Sequence, residues 1–249
     1  MNPNLLDKAV DHIKNARRVV AFSGAGISVE SGIPPFRGPE GLWSRYDPTC
    51  LEIHYFLSHP TEAWIVIKEI FYDFFGQANP NAAHTALAQM EAAGRLQSVI
   101  TQNIDNLHQR AGSQNVIEFH GTSSRLTCIK CESHYPASPD LFNPMPPRCK
   151  HCGGMLKPDF VFFGEPIPWE AMQRSLDETT RADLWLVIGT TGEIQPACLL
   201  PREAKGNGAT IIEVNIEPSM FTDYITDVFL QGKATQVLPE LVGRLCVTV

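Results

Sequence analysis

Two pairs of cysteines carry the most specific chemistry in the chain. Cys128 and Cys131 are separated by two residues, as are Cys149 and Cys152, and 17 residues lie between the pairs. A C-x-x-C knuckle lets two thiolates face one ion, and two knuckles complete a tetrahedron. The spacing predicts one Zn2+ held by Cys128, Cys131, Cys149 and Cys152. Four thiolates close the coordination shell, so such an ion holds its surroundings together and has no position open for catalysis. His134 and His151 lie nearby but are not needed as ligands. The total of seven cysteines is odd, and four of them are paired in this way, which reads as metal ligation rather than a disulfide framework.

A second set of residues sits where short apolar runs end. Val19–Phe22 leads into Ser23-Gly24-Ala25-Gly26-Ile27-Ser28. A glycine turn between a buried strand and a helix is a place where a nucleotide's phosphates can meet backbone N–H groups. The full dinucleotide fingerprint is absent, because Val29 holds the last glycine position, and no Gly-Lys-Ser/Thr follows as in a P-loop. A plain strand-to-helix turn is the alternative. Three further clusters are Thr101-Gln102-Asn103-Ile104-Asp105, Glu118-Phe119-His120-Gly121 and Gly189-Thr190-Thr191-Gly192. Ligands of open parallel sheets bind beyond the carboxyl ends of the strands, so the four clusters are expected to converge on one cleft. An imidazole titrates near neutrality, which suits His120 to the work of a general base. Gly121 beside it is expected to leave room for a substrate. Phe36, Arg37 and Trp43, in a segment rich in Gly and Pro, are available to close over a ligand.

The elements that must position these groups follow from periodicity. Helices are expected over residues 4–17, 60–75, 82–93, about 105–111, 169–181 and 196–205; strands over 19–22, 96–101, 116–119, 184–188 and 210–215. Alternation of this kind argues for an α/β doubly wound parallel sheet. Residues 121–158 break the rhythm. They hold the paired cysteines, several prolines, five basic residues and two acids, and read as an inserted module.

Composition bounds the rest. With 249 residues, 43% of them hydrophobic, the chain can bury a sizeable core and is not a disordered segment. The net charge of −7 argues against a polyanion-coating role and against direct nucleic-acid binding. No apolar stretch approaches the ~18 residues of a membrane span. The N-terminal segment is polar and amphipathic, unlike a signal or transit peptide, so a cytoplasmic protein is expected.

The ordered series Gly24-Ala25-Gly26-Ile27-Ser28, Ser31-Gly32-Ile33-Pro34-x-Phe36-Arg37-Gly38, Thr101–His108, His120-Gly121, the two cysteine pairs, Phe162-Phe163-Gly164-Glu165 and Gly189-Thr190 resembles the sirtuins, NAD-dependent protein deacylases, of prokaryotic type. The likeness runs from about Val19 to Asn215. It implies a Rossmann-like NAD-binding domain over 1–30, 81–120 and 159–249. A smaller domain is then formed by a helical insertion with the cofactor loop, 31–80, and a four-cysteine zinc-ribbon insertion, 121–158.

The resemblance further implies that NAD is consumed as a co-substrate and that an acylated lysine in a protein or peptide is the partner. By motif, Gly24, Ala25, Gly26 and Ser28 would line the phosphate side. Phe36 and Arg37 would lie on a mobile loop over the cleft. Gln102, Asn103 and Asp105 would surround the ribose and nicotinamide. Gly189, Thr190, Asn215 and Glu217 would hold the adenosine end. His120 would be the general base, with Asn103 also catalytic. The peptide would add as a strand between Val161-Phe162-Phe163-Gly164 and Gly192-Glu193-Ile194. Products would be nicotinamide, free lysine and O-acyl-ADP-ribose. The alternatives are a mono-ADP-ribosyltransferase or NAD glycohydrolase on the same fold, and a non-enzymatic interaction module built around the zinc.

Some residues depart from the family pattern. Pro35, Thr191, Thr122-Ser123 and Gly192-Glu193 replace commoner residues, and Glu193 puts a negative charge beside the expected peptide groove. Family members that prefer succinyl or malonyl lysine carry a Tyr and an Arg three residues apart on the acyl-pocket helix. Here Tyr72 is present, but no Arg occurs between Arg45 and Arg95. Neutral acyl groups, acetyl or longer, are therefore expected.

Overall fold

The computed structural model describes residues 2–36, 38 and 41–245. Five apolar or small residues, Val19–Ser23, form strand β1, which is buried along its whole length. Beside it lie β2 (Ser98–Thr101) and, on the other side, β7 (Leu184–Ile188). Such continuous burial is the pattern of a strand covered on both faces. With β3 (Val116–Glu118), β8 (Thr210–Asn215) and β9 (Val228–Gln231) they make a six-stranded parallel sheet in the order β3-β2-β1-β7-β8-β9.

Alternate residues choose alternate layers. Val19 and Ala21 pack with α1 (Pro3–Asn15), α4 (Ala82–Ala92) and α8 (Ala234–Arg244). Val20 and Phe22 face α6 (Trp169–Arg181) and α7 (Leu199–Gly206). The helix expected near 105–111 is the single turn α5 (Leu107–Arg110). The expected doubly wound sheet is present, with helices on both faces. β9 and α8 were not anticipated. Val228–Gln231 is only four residues long, and its partner β8 is 16 residues away in sequence at the Ile212–Val228 pair.

A second layer of structure rises from one end. Strands β4 (Gly121–Cys128), β5 (His134–Pro136) and β6 (Leu156–Phe160) form an antiparallel sheet in the order β5-β4-β6. Residues 31–80 supply α2 (Ile53–Ser58) and α3 (Pro60–Ile67). The helix expected over 60–75 therefore does not run as one α-helix. It widens into a π-helix over Lys68–Phe74 and ends in a 3-10 turn over Phe75–Gln77. The wider turn brings Ile67, Ile70, Phe71 and Phe75 to the interior and leaves Phe74 about half exposed. The described residues of the Gly- and Pro-rich segment around Phe36 and Trp43 include a 3-10 turn at Leu42–Ser44.

Helical insertion and cysteine module share one core. Trp64 is fully buried; its indole N–H donates to the Leu156 carbonyl at 3.0 Å, and its ring packs on Phe56, Tyr72 and Phe142. Tyr72 and Phe142 are also in contact, with ring centroids 4.6 Å apart. Among the described residues no helix is long and apolar enough to cross a membrane.

Candidate functional site

The strand order reverses between β1 and β7, and the crevice outside their carboxyl ends is where a doubly wound sheet binds ligands. Two backbones meet there at unusually close range. Gly24 N–H donates to the Ile188 carbonyl at 3.0 Å, and Gly26 N–H to Gly189 at 2.8 Å. A Cβ on Gly26 would sit 2.7 Å from the Gly189 Cα, and one on Gly189 would sit 2.5 Å from the Ile27 nitrogen. Glycine is thus required on both sides of the contact, which seats the Gly24–Ser28 turn against Gly189–Thr190.

A polar network then ties β1 to β2. Ser23 Oγ donates to Thr101 Oγ1 at 2.9 Å, and Thr101 Oγ1 accepts the Asn103 N–H at 3.1 Å. Asn103 is nearly buried; its amide nitrogen donates to the Gly24 carbonyl at 3.1 Å and to Ser28 Oγ at 3.3 Å. Ser28 Oγ in turn donates to Asp105 Oδ2 at 2.7 Å, and Asp105 Oδ1 accepts the Leu107 N–H at 3.0 Å. Burial pushes the Asp105 carboxyl up from its ordinary range, opposed by these two donors. On the far side, Gln102 Nε2 donates to Thr190 Oγ1 at 3.1 Å and Asn215 Nδ2 to the Thr190 carbonyl at 3.0 Å. Gly24, Ser28, Gln102, Asn103, Asp105, Gly189, Thr190 and Asn215 are therefore one connected constellation. Ala25 stands in the same turn, and Glu217 lies two residues beyond the end of β8.

His120 follows β3 and is half-buried. Its Nδ1 is 2.9 Å from the Gln102 carbonyl oxygen. A carbonyl only accepts, so Nδ1 carries the proton and Nε2 carries the lone pair in the neutral ring. Burial lowers the His120 pKa, with the Gln102 carbonyl acting in the opposite direction. A neutral imidazole with one nitrogen tied down has the form required of a general base.

Gly121 does a different job from the one expected. Its φ is +74°, and a Cβ there would lie 2.1 Å from the Asp159 carbonyl oxygen of β6. Any side chain at position 121 would run into that strand, so glycine here allows β4 and β6 to meet just after His120.

β6 runs on into Val161, whose N–H donates to the His120 carbonyl at 2.9 Å. Phe162 is buried under the Lys157 ammonium, 4.6 Å from its ring centre, and Lys157 also pairs with Glu165 at 3.0 Å. Phe163 forms a bridge with Glu52, its N–H donating to Leu51 and its carbonyl accepting from Ile53. Its ring is half exposed and lies 6.4 Å from Trp43, which contacts Phe36 at 5.4 Å. Phe36, Trp43 and Phe163 thus form one aromatic edge, ending near Gly164. Arg37 lies outside the described residues. Across the chain, Gly192 rests on the Phe221 ring, and exposed Glu193 accepts the Thr191 hydroxyl at 3.2 Å, followed by Ile194.

The four cysteine sulfurs lie within 4.8 Å of one another. Individual Sγ–Sγ distances of 3.2, 3.5 and 3.6 Å are far beyond the ~2.05 Å of a disulfide. They approach the ~3.8 Å edge of a tetrahedron with ~2.3 Å zinc–sulfur bonds. Lys130 N–H and Gly154 N–H each point at a sulfur at 3.4 Å, Cys128 and Cys152 respectively. The donor set and its geometry fit a closed Zn2+ site.

Sequence reasoning missed two residues that support this network. His108 Nε2 is 2.8 Å from Ser23 Oγ, and the His84 ring stands edge-on 4.9 Å away. Both are fully buried, and burial lowers their pKa values to about 3 and about 4. Asn81 caps α4 and also donates to the Ile27 carbonyl at 2.8 Å. A capping Asn three residues before a His is visible in the sequence, but its second role across the fold is not.

Comparison with known proteins places these features. The family model described as the Sir2 family matches residues 24–196. The chain is 47% identical over 239 residues to NAD-dependent protein deacylase 2 of Pyrobaculum aerophilum, covering 94% of each chain. It is 43% identical over 248 residues to the NAD-dependent protein deacylase of Thermococcus kodakarensis, covering 97% of this chain and 96% of that one. A solved Sir2 homolog–NAD complex aligns with a TM-score of 0.90 at 39% identity, over 97% of this chain and 95% of the other. A Sir2–p53 peptide–NAD+ structure aligns with a TM-score of 0.87 at 34% identity, over 98% and 99%.

Proposed function

Because the chain belongs to the Sir2 family, we infer that it is an NAD-dependent protein deacylase that uses the crevice between β1 and β7. The observation that carries the reading at residue level is the bond from His120 Nδ1 to the Gln102 carbonyl. It fixes the ring's orientation beside the Gln102–Asp105 segment and leaves the lone pair of the neutral imidazole on Nε2, while burial favours that neutral form.

NAD is the co-substrate, with its phosphates against Gly24, Ala25, Gly26 and Ser28. Gln102, Asn103 and Asp105 face its ribose and nicotinamide, and Gly189, Thr190, Asn215 and Glu217 its adenosine. Phe36 and Arg37 close over it. The acyl-lysine peptide lies between Val161–Gly164 and Gly192–Ile194. The acyl oxygen attacks C1′ of the ribose as nicotinamide leaves. His120 Nε2 takes a proton from a ribose hydroxyl, whose oxygen then attacks the imidate carbon. Lysine departs with the proton it needs, and a water molecule adds to the acyl carbon of the resulting cyclic cation, opening it to O-acyl-ADP-ribose. The ribose carries positive charge as nicotinamide departs, so placed dipoles and excluded water serve better than a strong nucleophile. That accounts for a site built from Asn103, Gln102, Ser28 and backbone groups.

Cys128, Cys131, Cys149 and Cys152 hold Zn2+ in a structural role. Residues 1–30, 81–120 and 159–249 act as the NAD-binding domain, with 31–80 and 121–158 as insertions that close one side of the cleft. The protein works in the cytoplasm, where thiols persist, on acylated lysines and not on nucleic acid; six cysteines without a disulfide among the described residues and a charge of −7 support this.

The test is mass spectrometry of products formed from NAD and an acetyl-lysine peptide. O-acetyl-ADP-ribose, with nicotinamide release that needs the peptide, is expected. Peptide-independent nicotinamide release would point to a glycohydrolase, and ADP-ribose attached to protein to a transferase. His120→Ala should lower turnover by about 100-fold or more while NAD still binds.

A further inference from the structure

A carboxylate lies buried beneath the cleft. Glu213, in β8, is 1% exposed. Its neighbours Ile212 and Val214 pack in the layer of α1, α4 and α8, so Glu213 points to the opposite layer, with Ile211 and Phe221. Its Oε2 accepts the Thr222 and Thr226 hydroxyls, both at 2.8 Å, and its Oε1 is buried without a protein partner. A carboxylate held by two neutral donors is a poor occupant of a core compared with an apolar residue of equal volume. What it provides is geometry: both hydroxyls belong to the single loop that connects β8 to β9.

That loop is firmly built and touches both halves of the site. Thr222 Oγ1 accepts the Ser219 N–H at 2.8 Å, and Ser219 Oγ accepts the Phe221 N–H at 3.1 Å. The loop begins at Asn215 and Glu217, on the adenosine side. Its Met220 N–H donates to the Thr191 carbonyl at 3.0 Å. The Phe221 ring lies directly under Gly192, where a Cβ would approach it to 2.9 Å.

We propose that Glu213 is a positioning residue for both substrates. By anchoring Thr222 and Thr226 it fixes the 216–226 loop, which sets the adenosine wall of the NAD site and the floor of the peptide groove at Gly192. The proposal rests on the assignment of the cleft to NAD and an acyl peptide. Hydrogen bonds that hold the loop run to Glu213, to Thr191 and within the loop itself, on the adenosine and peptide sides, so loosening it removes binding shared by ground and transition states. Such a loss raises KM and spares kcat.

The experiment measures kcat and KM for NAD and for an acetyl-lysine peptide, and the Kd of NAD by calorimetry, in Glu213→Leu, Glu213→Gln and the double variant Thr222→Val, Thr226→Val. Glu213→Leu and the double variant should raise both KM values and the NAD Kd about fivefold or more, the worth of one hydrogen bond, with kcat held within about twofold. Glu213→Gln keeps an oxygen acceptor for both hydroxyls and should lie near wild type. If Glu213→Leu does not fold, the double variant decides, because it leaves the strand intact. A carboxylate with a merely structural role would lower the amount of active enzyme and leave both KM values alone; that result, or a change confined to kcat, overturns the proposal. A wild-type protein that binds NAD but forms no O-acetyl-ADP-ribose would instead defeat the deacylase assignment.

Discussion

Gly121→Ala isolates the contact that holds the His120 backbone against β6. Two separate costs arise at this position. The φ of +74° is left-handed, which costs an L-residue about 1–2 kcal/mol. In addition, the new Cβ would meet the Asp159 carbonyl oxygen at 2.1 Å, closer than real contacts allow. Backbone on both sides resists the shift, because Val161 N–H is bonded to the His120 carbonyl at 2.9 Å just beyond. Overpacking of this kind costs about 1–3 kcal/mol more. Gly94→Ala is the matched control: φ is +69° at the end of α4, and nothing lies within 4 Å of the added carbon. It should show the backbone term alone. At roughly 2–4 °C per kcal/mol for a chain of this size, Gly121→Ala should melt about 2–12 °C below Gly94→Ala. It should also lose about 100-fold in kcat/KM, the cost of moving a catalytic group by about 1 Å. Differential scanning fluorimetry and the deacylation assay measure both. Equal melting temperatures for the two variants, with full activity in Gly121→Ala, would refute the assignment of Gly121 to the β4–β6 contact.

Three other outcomes are expected. A folded preparation should contain one zinc per chain by metal analysis, and Cys128→Ser or a chelator should unfold residues 121–158 and perturb the fluorescence of Trp64, whose N–H is tied to Leu156; a zinc-free protein with unchanged emission would contradict this. His84 and His108 have folded pKa values of about 4 and about 3, well below the ~6.5 of the unfolded chain. The unfolded state therefore binds more protons below pH 6.5, so their contribution is complete above that pH and is lost as pH falls toward 4 and then 3. NMR should show two imidazoles that do not titrate between pH 8 and 5, and titration of either near 6.5 would remove the basis for the window. Acetyl and butyryl peptides should be deacylated better than succinyl, because Phe75 stands three residues after Tyr72 and Asp73 is turned outward, paired with Lys68 at 2.6 Å. An unpaired buried carboxylate costs several kcal/mol, so a higher kcat/KM on succinyl peptide would overturn that view of the helix.

The sequence by itself determined whatever depends on residues close together in the chain. Cys128-x-x-Cys131 and Cys149-x-x-Cys152 announce a metal site because each knuckle is a local turn, and the four sulfurs do converge. Val19–Phe22 and Leu184–Ile188 announce strands because full burial demands unbroken apolar runs, and Thr210–Asn215 does so through Ile211, Ile212 and Val214. Their alternation with helices implies the parallel sheet, and its carboxyl ends carry the polar clusters. Tertiary structure alone decided what depends on pairs far apart. The order β3-β2-β1-β7-β8-β9, the approach of Gly26 to Gly189, and the Asp159 oxygen beside Gly121 join distant segments; the two glycine contacts span 163 and 38 residues, counted between the paired positions. The four-residue strand β9 is set by pairing with β8 rather than by its own pattern. The π-helix over Lys68–Phe74 arises from packing Phe71 and Phe75 into a core shared with β6. Glu213 reads in sequence as an acid within a strand. Only folding shows it buried, because its partners Thr222 and Thr226 reach it by the turn of a loop that no residue periodicity describes.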